Sequence, residues 1–227
     1  MALTASSEDY LRAIWKLGEW KEGRINLGDL TRELGLSPST VSEGVARLTA
    51  KGLLRHAPYG GISLTDEGRA QAVRMVRIHR LLETGLVQLF GYSWDEVHDE
   101  AETLEHAVSD VFIDRLDAAL GYPRKDPHGE VIPAADGTVA SAGDSVLLAE
   151  LGEGRSARIE RVSDRDSDVL VYLEGLGLVP AAHIETKRVR RAAGIMDLDV
   201  LRPGEAPVPT QVSLAAARAV VVVPAAE

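Results

Sequence analysis

Between residues 27 and 64 the chain spells out a helix, a stop, a cap, a second helix and a hairpin, and few folds accept that order. Leu27, Leu30 and Leu34 keep helical spacing, and Gly35 ends the run. Ser37 is a good N-cap, and Pro38 suits the first helical position because its missing N–H has no intrahelical partner there. The helix from Pro38 to Lys51 turns Val41, Val45 and Leu48 inward and Ser39, Thr40, Ser42, Glu43 and Arg47 outward, with Gly52 closing it. Leu53 to His56, a Pro58-Tyr59-Gly60-Gly61 turn and Ile62 to Leu64 then make a small hairpin. An ordinary core helix would show the same inward face. The outward face of small polar residues and the hairpin after it point instead to a winged helix-turn-helix, with the second helix in a DNA major groove. Ser37, Ser39, Thr40, Ser42, Glu43 and Arg47 are the candidate DNA-contacting residues, and Arg47, Lys51 and Arg55 are candidate phosphate contacts.

A net charge of −10 looks wrong for such a protein until it is divided. Residues 1–73 balance to zero, residues 74–136 to −7 and residues 137–227 to −3. The first segment is therefore free to meet a polyanion, and the acidity is concentrated in the middle. With no cysteine, disulfides, thiolate metal ligands and cysteine nucleophiles are excluded together. No run approaches the roughly 18 apolar residues of a membrane span, so a cytoplasmic protein without a membrane partner is expected.

The middle segment reads as helical. Thr65 caps a long helix through Met75, Ile78, Leu82, Leu86 and Leu89 to about Gly91. A second helix is expected after Ser93, carrying Val97, Ala101, Leu104, Val108, Val111 and Phe112, and a third, shorter one runs to about Leu120. Their apolar surface exceeds what three such elements can hide, which predicts a homodimer and, by symmetry, an inverted-repeat operator on double-stranded DNA. Glu102, Glu105 and His106 stand at i, i+3 and i+4 in HDEAETLEHAVSD, and on one helix they would share a face. Two acids side by side repel unless a cation lies between them. Joined by Asp9 from the N-terminal segment, they make a metal site that clasps two parts of the chain, a device suited to a switch more than to a catalyst. A solvated acidic face is the plain alternative. Accumulation weighs against it, since His79 and Glu83 form another i, i+4 pair and His98 lies one turn before Glu102.

Gly121 to Gly137 is a connector punctuated by Pro123, Pro127 and Pro133. Beyond it come short β-type runs, Val146–Leu148, Ala157–Val162, Val169–Leu173, Ile184–Val189 and Ala219–Val223, which suggest a small barrel closed by the last of them. The architecture expected is mainly α with a C-terminal all-β module, divided as 1–73, 74–137 and 138–227.

These residues resemble the diphtheria-toxin-repressor family of metal-dependent regulators, and within it the manganese-responsive branch. The likeness rests on E-D-Y-L-R-A-I near the N-terminus, S-P-S-T-V-S, R-x-H-R-L-L-E around His79, V-H-D-E-A-E-x-L-E-H-x-x-S-D from Val97 to Asp110, and P-H-G-x-x-I-P from Pro127 to Pro133. The C-terminal L-x-x-L-G-L-V-P is similar to the FeoA-like barrel, of Src-homology type, that many members carry. The resemblance implies a dimeric repressor with a primary metal site at Asp9, Glu102, Glu105 and His106. In the iron-responsive branch, methionine and cysteine stand at the positions of Asp9 and Glu102. Carboxylates here suit Mn²⁺, with Fe²⁺ or Co²⁺ as surrogates. Arg12 replaces a glutamate of some manganese-responsive members, which argues against their closely paired binuclear site. The resemblance offers a second site in two versions, one from His79, Glu83 and His98, the other pairing Glu83 with Asp126 and His128. A barrel carboxylate completes either, with Asp164, Asp166 and Asp168 as candidates and Asp168 preferred. The reading is thus a manganese-activated repressor of metal homeostasis, not an enzyme. An iron-responsive repressor is the nearest alternative, and a metallohydrolase or a small-molecule-responsive regulator stands further off.

Overall fold

The structure is a computed structural model that describes residues 3–20, 23–57, 60–140, 144–202 and 204–225. It divides into two compact units, residues 1–79 with 133–138, and residues 80–132 with 139–227. The turn residues Pro58 and Tyr59 lie outside the described residues.

The first unit holds α1 (Ala5–Trp20), α2 (Leu27–Leu34), α3 (Pro38–Ala50), β1 (Leu54–His56), β2 (Ile62–Leu64) and the start of α4 (Asp66–Phe90). Asn26 and Asp29 close a reciprocal capping box on α2, and Gly35 takes the left-handed conformation, φ 63°, that ends it. Ser37 caps α3 by accepting from the Thr40 N–H at 3.2 Å. The β1 and β2 strands pair antiparallel from Leu54↔Leu64 to His56↔Ile62, the wing. Helix α3 is seated on α1 at Gly44, where a Cβ would lie 2.4 Å from the Tyr10 ring, while the Tyr10 hydroxyl donates to Thr40 O at 3.1 Å. Buried Leu11, Ile14, Leu30, Val41, Val45, Leu48 and Leu54 fill the space between these elements. This is the helix, turn, helix and wing that the spacing predicts.

In the second unit the expected helix from Val97 to Phe112 is two helices, α5 (Val97–Leu104) and α6 (Asp110–Ala119). The break has a local cause. Ser109 accepts from the Phe112 N–H at 3.3 Å and starts a new helix, so residues 105–107 form a turn. The N-cap position of α5 is Glu96, and Ser93 before it donates its hydroxyl to the Glu96 carboxylate at 2.6 Å. Leu89, Phe90, Val111, Phe112 and Tyr122 remain exposed, Phe90 to 72%.

Strands β3 (Val146–Leu147), β4 (Ser156–Val162), β5 (His183–Arg190), β6 (Ile195–Leu201), β7 (Val208–Ser213) and β8 (Val220–Pro224) form one antiparallel sheet in the order β3-β8-β4-β5-β6-β7. Register shifts at Ile159/Arg161 and Thr186/Arg188 bend it around a core of Ile159, Leu170, Leu173, Leu178, Ile184, Met196, Leu198 and Val222. Trp94, from far earlier in the chain, is packed into that core. Val220 to Val222 are buried as expected, in an interior strand between β3 and β4; among the described residues no pairing joins the edge strands β3 and β7, so β8 does not close a barrel. The run Val169–Leu173 is not a strand. It lies in α7 (Ser167–Gly175), which Asp166 caps by accepting from the Val169 N–H at 3.2 Å. A short helix, α8 (Leu214–Ala217), precedes β8.

Candidate metal centre

Glu83 on α4 is fully buried, and its two oxygens face two different histidines. Oε1 lies 3.1 Å from His98 Nδ1 and Oε2 lies 3.9 Å from His128 Nδ1. His98, on α5, also approaches Asp164 Oδ2 at 3.2 Å and Glu102 Oε1 at 3.4 Å. Asp164 is the second residue after β4 and is buried.

His128 belongs to a loop built by Asp126, whose Oδ1 accepts the N–H groups of His128 and Glu130, each at 2.9 Å. Gly129 closes the loop at φ 84°, and the His128 carbonyl accepts from the Val162 N–H at 2.8 Å. The His128 ring is stacked on Trp94, with centroids 5.7 Å apart. Its Nε2 lies 2.6 Å from the Trp94 carbonyl. A carbonyl can only accept, so Nε2 carries the hydrogen and Nδ1 is left to take a proton or a metal. That Nδ1 is buried and has no hydrogen-bond partner among the described residues. A histidine whose far nitrogen is tied to a backbone carbonyl is the usual arrangement of a metal ligand.

Charge leads to the same conclusion. Glu83, Asp126, Glu130 and Asp164 are all buried in one region. Arg80, itself 3% exposed, answers Glu130 through a short ion pair, lies 3.7 Å from Asp126 Oδ2 and donates to Val131 O at 2.6 Å. Arg161 Nη1 reaches Glu130 Oε1 at 3.7 Å. Carboxylates buried close together are costly to keep charged, so the region favours protonation. Burial pulls His98 down, but Asp164, Glu102 and Glu83 outweigh it and push it up to about 11. His128 meets the same opposition, with Glu83, Asp126 and Asp164 pushing it up to about 10. Burial and the Glu83 charge hold Asp126 well above the usual carboxylate range. One donor atom each from Glu83, Asp126 and His128, and likewise from Glu83, His98 and Asp164, come within 4.8 Å of one another. Oxygen and imidazole donors of this kind fit a divalent cation of the first transition row. These residues fit such a group.

The two versions of the second site therefore meet at Glu83. Of the three barrel acids, the one brought to the cluster is Asp164. Asp168 sits exposed on the first turn of α7, and Asp166 is a helix cap. Two signals in the chain escaped the sequence reading: the Asp-x-His-Gly spacing that makes the loop, and Trp94. His79, one turn before Glu83 on α4, meets Arg12 Nη1 at 3.0 Å from its Nδ1.

Helix α5 ends at Leu104, but its cap residue Glu105 keeps helical angles, φ −60° and ψ −28°, so Glu102 and Glu105 stay at helical spacing. Glu105 is its C-cap and is buried, His106 follows in the turn with Nε2 3.5 Å from Glu105 Oε1, and Glu102 is exposed and turned toward His98. Asp9, on α1, is partly buried in the first unit. On α3 the candidates Ser37, Ser39, Thr40, Ser42, Glu43 and Arg47 are all exposed. Among the described residues no helix is long and apolar enough to cross a membrane.

Residues 2–62 match the iron dependent repressor N-terminal DNA binding domain, residues 65–134 the iron dependent repressor metal binding and dimerisation domain, and residues 146–206 the FeoA domain. The iron-dependent repressor IdeR of Mycobacterium leprae is 37% identical over 195 residues, covering 80% of this chain and 84% of that protein. The diphtheria toxin repressor of Corynebacterium jeikeium is 35% identical over 189 residues, 82% of this chain and 78% of its own. A manganese-dependent transcriptional repressor solved in complex with manganese superimposes with a TM-score of 0.89 at 40% identity, covering 96% of this chain and 99% of that one. The apo form of the manganese-activated repressor ScaR gives 0.78 at 34% identity, over 94% and 98%. The three matched domains follow one another along the chain, and the chain belongs to the diphtheria-toxin-repressor family of metal-dependent transcriptional repressors.

Proposed function

We propose that this repressor is activated by Mn²⁺, acts as a cytoplasmic homodimer on an inverted-repeat operator, and controls metal homeostasis through manganese uptake. The observation that carries the reading is the donor set. The chain has no cysteine, and the candidate ligands are carboxylates and imidazoles throughout. Hard oxygen donors hold Mn²⁺ without the thiolate or thioether that draws later metals. Asp9, Glu102, Glu105 and His106 supply the primary site. Glu83 with His98, Asp126, His128 and Asp164 supplies the second, and His79 shares the Glu83 face of α4. A divalent cation is attracted by the charge of the carboxylates gathered there. Asp126 holds its own loop closed, Trp94 presents His128 through one nitrogen, and Arg80 neutralises Glu130. The exposed apolar residues Leu89, Phe90, Val111 and Phe112 supply the dimer contact.

An iron-responsive repressor is the second reading, favoured by the name of the IdeR relative. Both readings are tested by selecting operators from random duplex DNA with the full chain and measuring affinity by anisotropy across anaerobically buffered Mn²⁺, Fe²⁺, Co²⁺ and Zn²⁺. Activation at lower free Mn²⁺ than the cell holds, with no response to physiological Fe²⁺, is expected. Equal affinity in chelator sinks both readings, and activation by Fe²⁺ alone selects the second.

A further inference from the structure

The outward line of α3 contains one long side chain, and it is an acid. With successive residues turned by about 100° around the helix, buried Val41, Gly44, Val45 and Leu48 define the inner face, and Ser39, Glu43, Ala46 and Ala50 lie opposite it. Three of these four are small. They let the helix backbone approach a surface closely, and Glu43 alone reaches beyond them. Thr40 and Arg47 lie to one side of that line, where a groove-bound helix meets the sugar–phosphate wall.

A carboxylate at the centre of a surface that meets a polyanion needs a reason. It is not a helix-terminus charge, because Glu43 lies more than a turn beyond the Ser37 cap and the dipole effect fades within the first turn. It is not held by Arg47 at i+4, since among the described residues no hydrogen bond or ion pair engages either side chain. A merely solvated acid would be repelled by every phosphate the helix approaches. In the major groove the only hydrogen-bond donors are exocyclic amino groups, N4 of cytosine and N6 of adenine. Adenine sets its N7 acceptor beside N6, which suits an amide that can both donate and accept. A carboxylate can only accept, and cytosine N4–H₂ is the donor it matches.

We infer that Glu43 is a specificity-determining residue that accepts a hydrogen bond from a cytosine amino group, one C·G pair in each operator half-site. The inference rests on the repressor reading above, and goes beyond it by naming the base that is read. The carboxylate contributes little affinity of its own. It converts repulsion at every other base into selection for this one.

The test uses the full-length, metal-loaded dimer. Wild type, Glu43→Gln and Glu43→Ala are each used to select operators from random duplex DNA. Wild type should fix cytosine at one position per half-site. Glu43→Gln should move that position toward adenine, and Glu43→Ala should accept all four pairs within about threefold while binding random DNA more tightly, having lost a charge that repels phosphate. In a second arm, that cytosine is replaced by a pyrimidinone without the 4-amino group. Wild type should lose about tenfold per half-site and Glu43→Ala nothing. All three proteins selecting the same sequence would overturn the inference while leaving a working repressor. A wild-type dimer that selects no sequence with any metal overturns the repressor reading first, and this inference with it.

Discussion

Replacing Gly129 by alanine tests whether the loop that carries Asp126 and His128 is held by its fit to β4. At φ 84° a non-glycine residue is strained, and a Cβ there would lie 2.2 Å from Glu160 O and 2.9 Å from Arg161 Cα. The left-handed backbone costs about 1–2 kcal/mol. Relieving the clash means lifting the loop from β4 by about an ångström, which breaks the 2.8 Å bond from the Val162 N–H to the His128 carbonyl and costs about 1 kcal/mol more. The sum is about 2–3 kcal/mol, or roughly 5–10 °C in melting temperature for a unit of this size. His128 and Asp126 then leave Glu83, so metal affinity at the second site should fall about 10–100-fold, the usual effect of disturbing a ligand's support. Gly137→Ala is the control, with φ 83° but nothing within 4 Å of its Cβ. The assays are thermal melts in chelator and titration calorimetry with Mn²⁺. If Gly129→Ala melts no lower than the control and titrates like wild type, the loop is not held in place by its contact with β4.

Arg80→Met leaves Glu130 and Asp126 buried without their guanidinium and should destabilise the protein by about 3–5 kcal/mol, read from urea unfolding; a loss under 1 kcal/mol removes Arg80 from the argument. Metal-free protein should lose stability as pH rises. His98 and His128 are pushed up to about 11 and about 10 from an ordinary 6.5, so the stabilisation from their charged forms is complete below pH 6.5 and drains away as pH rises through 10 and 11. Melting in chelator should therefore fall between pH 7 and 10 and fall less in the His98→Gln/His128→Gln double variant; a rising curve contradicts the assignment. Asp9→Met with Glu102→Cys should shift activation from Mn²⁺ toward Fe²⁺, Co²⁺ or Ni²⁺, measured by operator anisotropy. An unchanged order of metals places selectivity elsewhere.

The DNA-binding part was legible because its signals are local. Gly35, Ser37, Pro38 and Gly52 mark helix ends by their own backbone chemistry, and each stands where an end is found. The β module was legible only in part. Val169 to Leu173 is rich in β-branched residues and reads as a strand, yet Asp166 caps it as a helix and Leu170 and Leu173 pack inward at i, i+3. Strand β6 went unseen although Met196, Leu198 and Val200 alternate with Asp197 and Asp199 in plain period two, because the acids masked a hydrophobic run. The metal cluster divides the same way. His98 and Glu83 are marked by helical spacing, while His128, in a loop, is marked only by the family resemblance. Asp164 could not be told from Asp166 and Asp168, which share its alternation; the choice is made by where β4 ends, a tertiary matter. Glu102 and Glu105 keep their helical spacing because the cap residue Glu105 stays in the αR region, whereas His106 falls in the turn that Ser109 ends by starting a new helix.

Trp94 gives its carbonyl to His128 and its ring to the core of the sheet. The angle at which the candidate ligand nitrogen of His128 is offered is therefore fixed by how tightly a distant hydrophobic core closes. Anything that loosens that core, a methyl deleted at Leu148 or Met196 for instance, should weaken metal binding without touching a ligand. By reciprocity the bound ion should raise the melting point of the sheet by RT ln(1 + [M]/Kd). The β module then acts as a gauge of metal supply through its own folding equilibrium, and in metal-starved cells it should be the first part of the chain to become open to proteolysis.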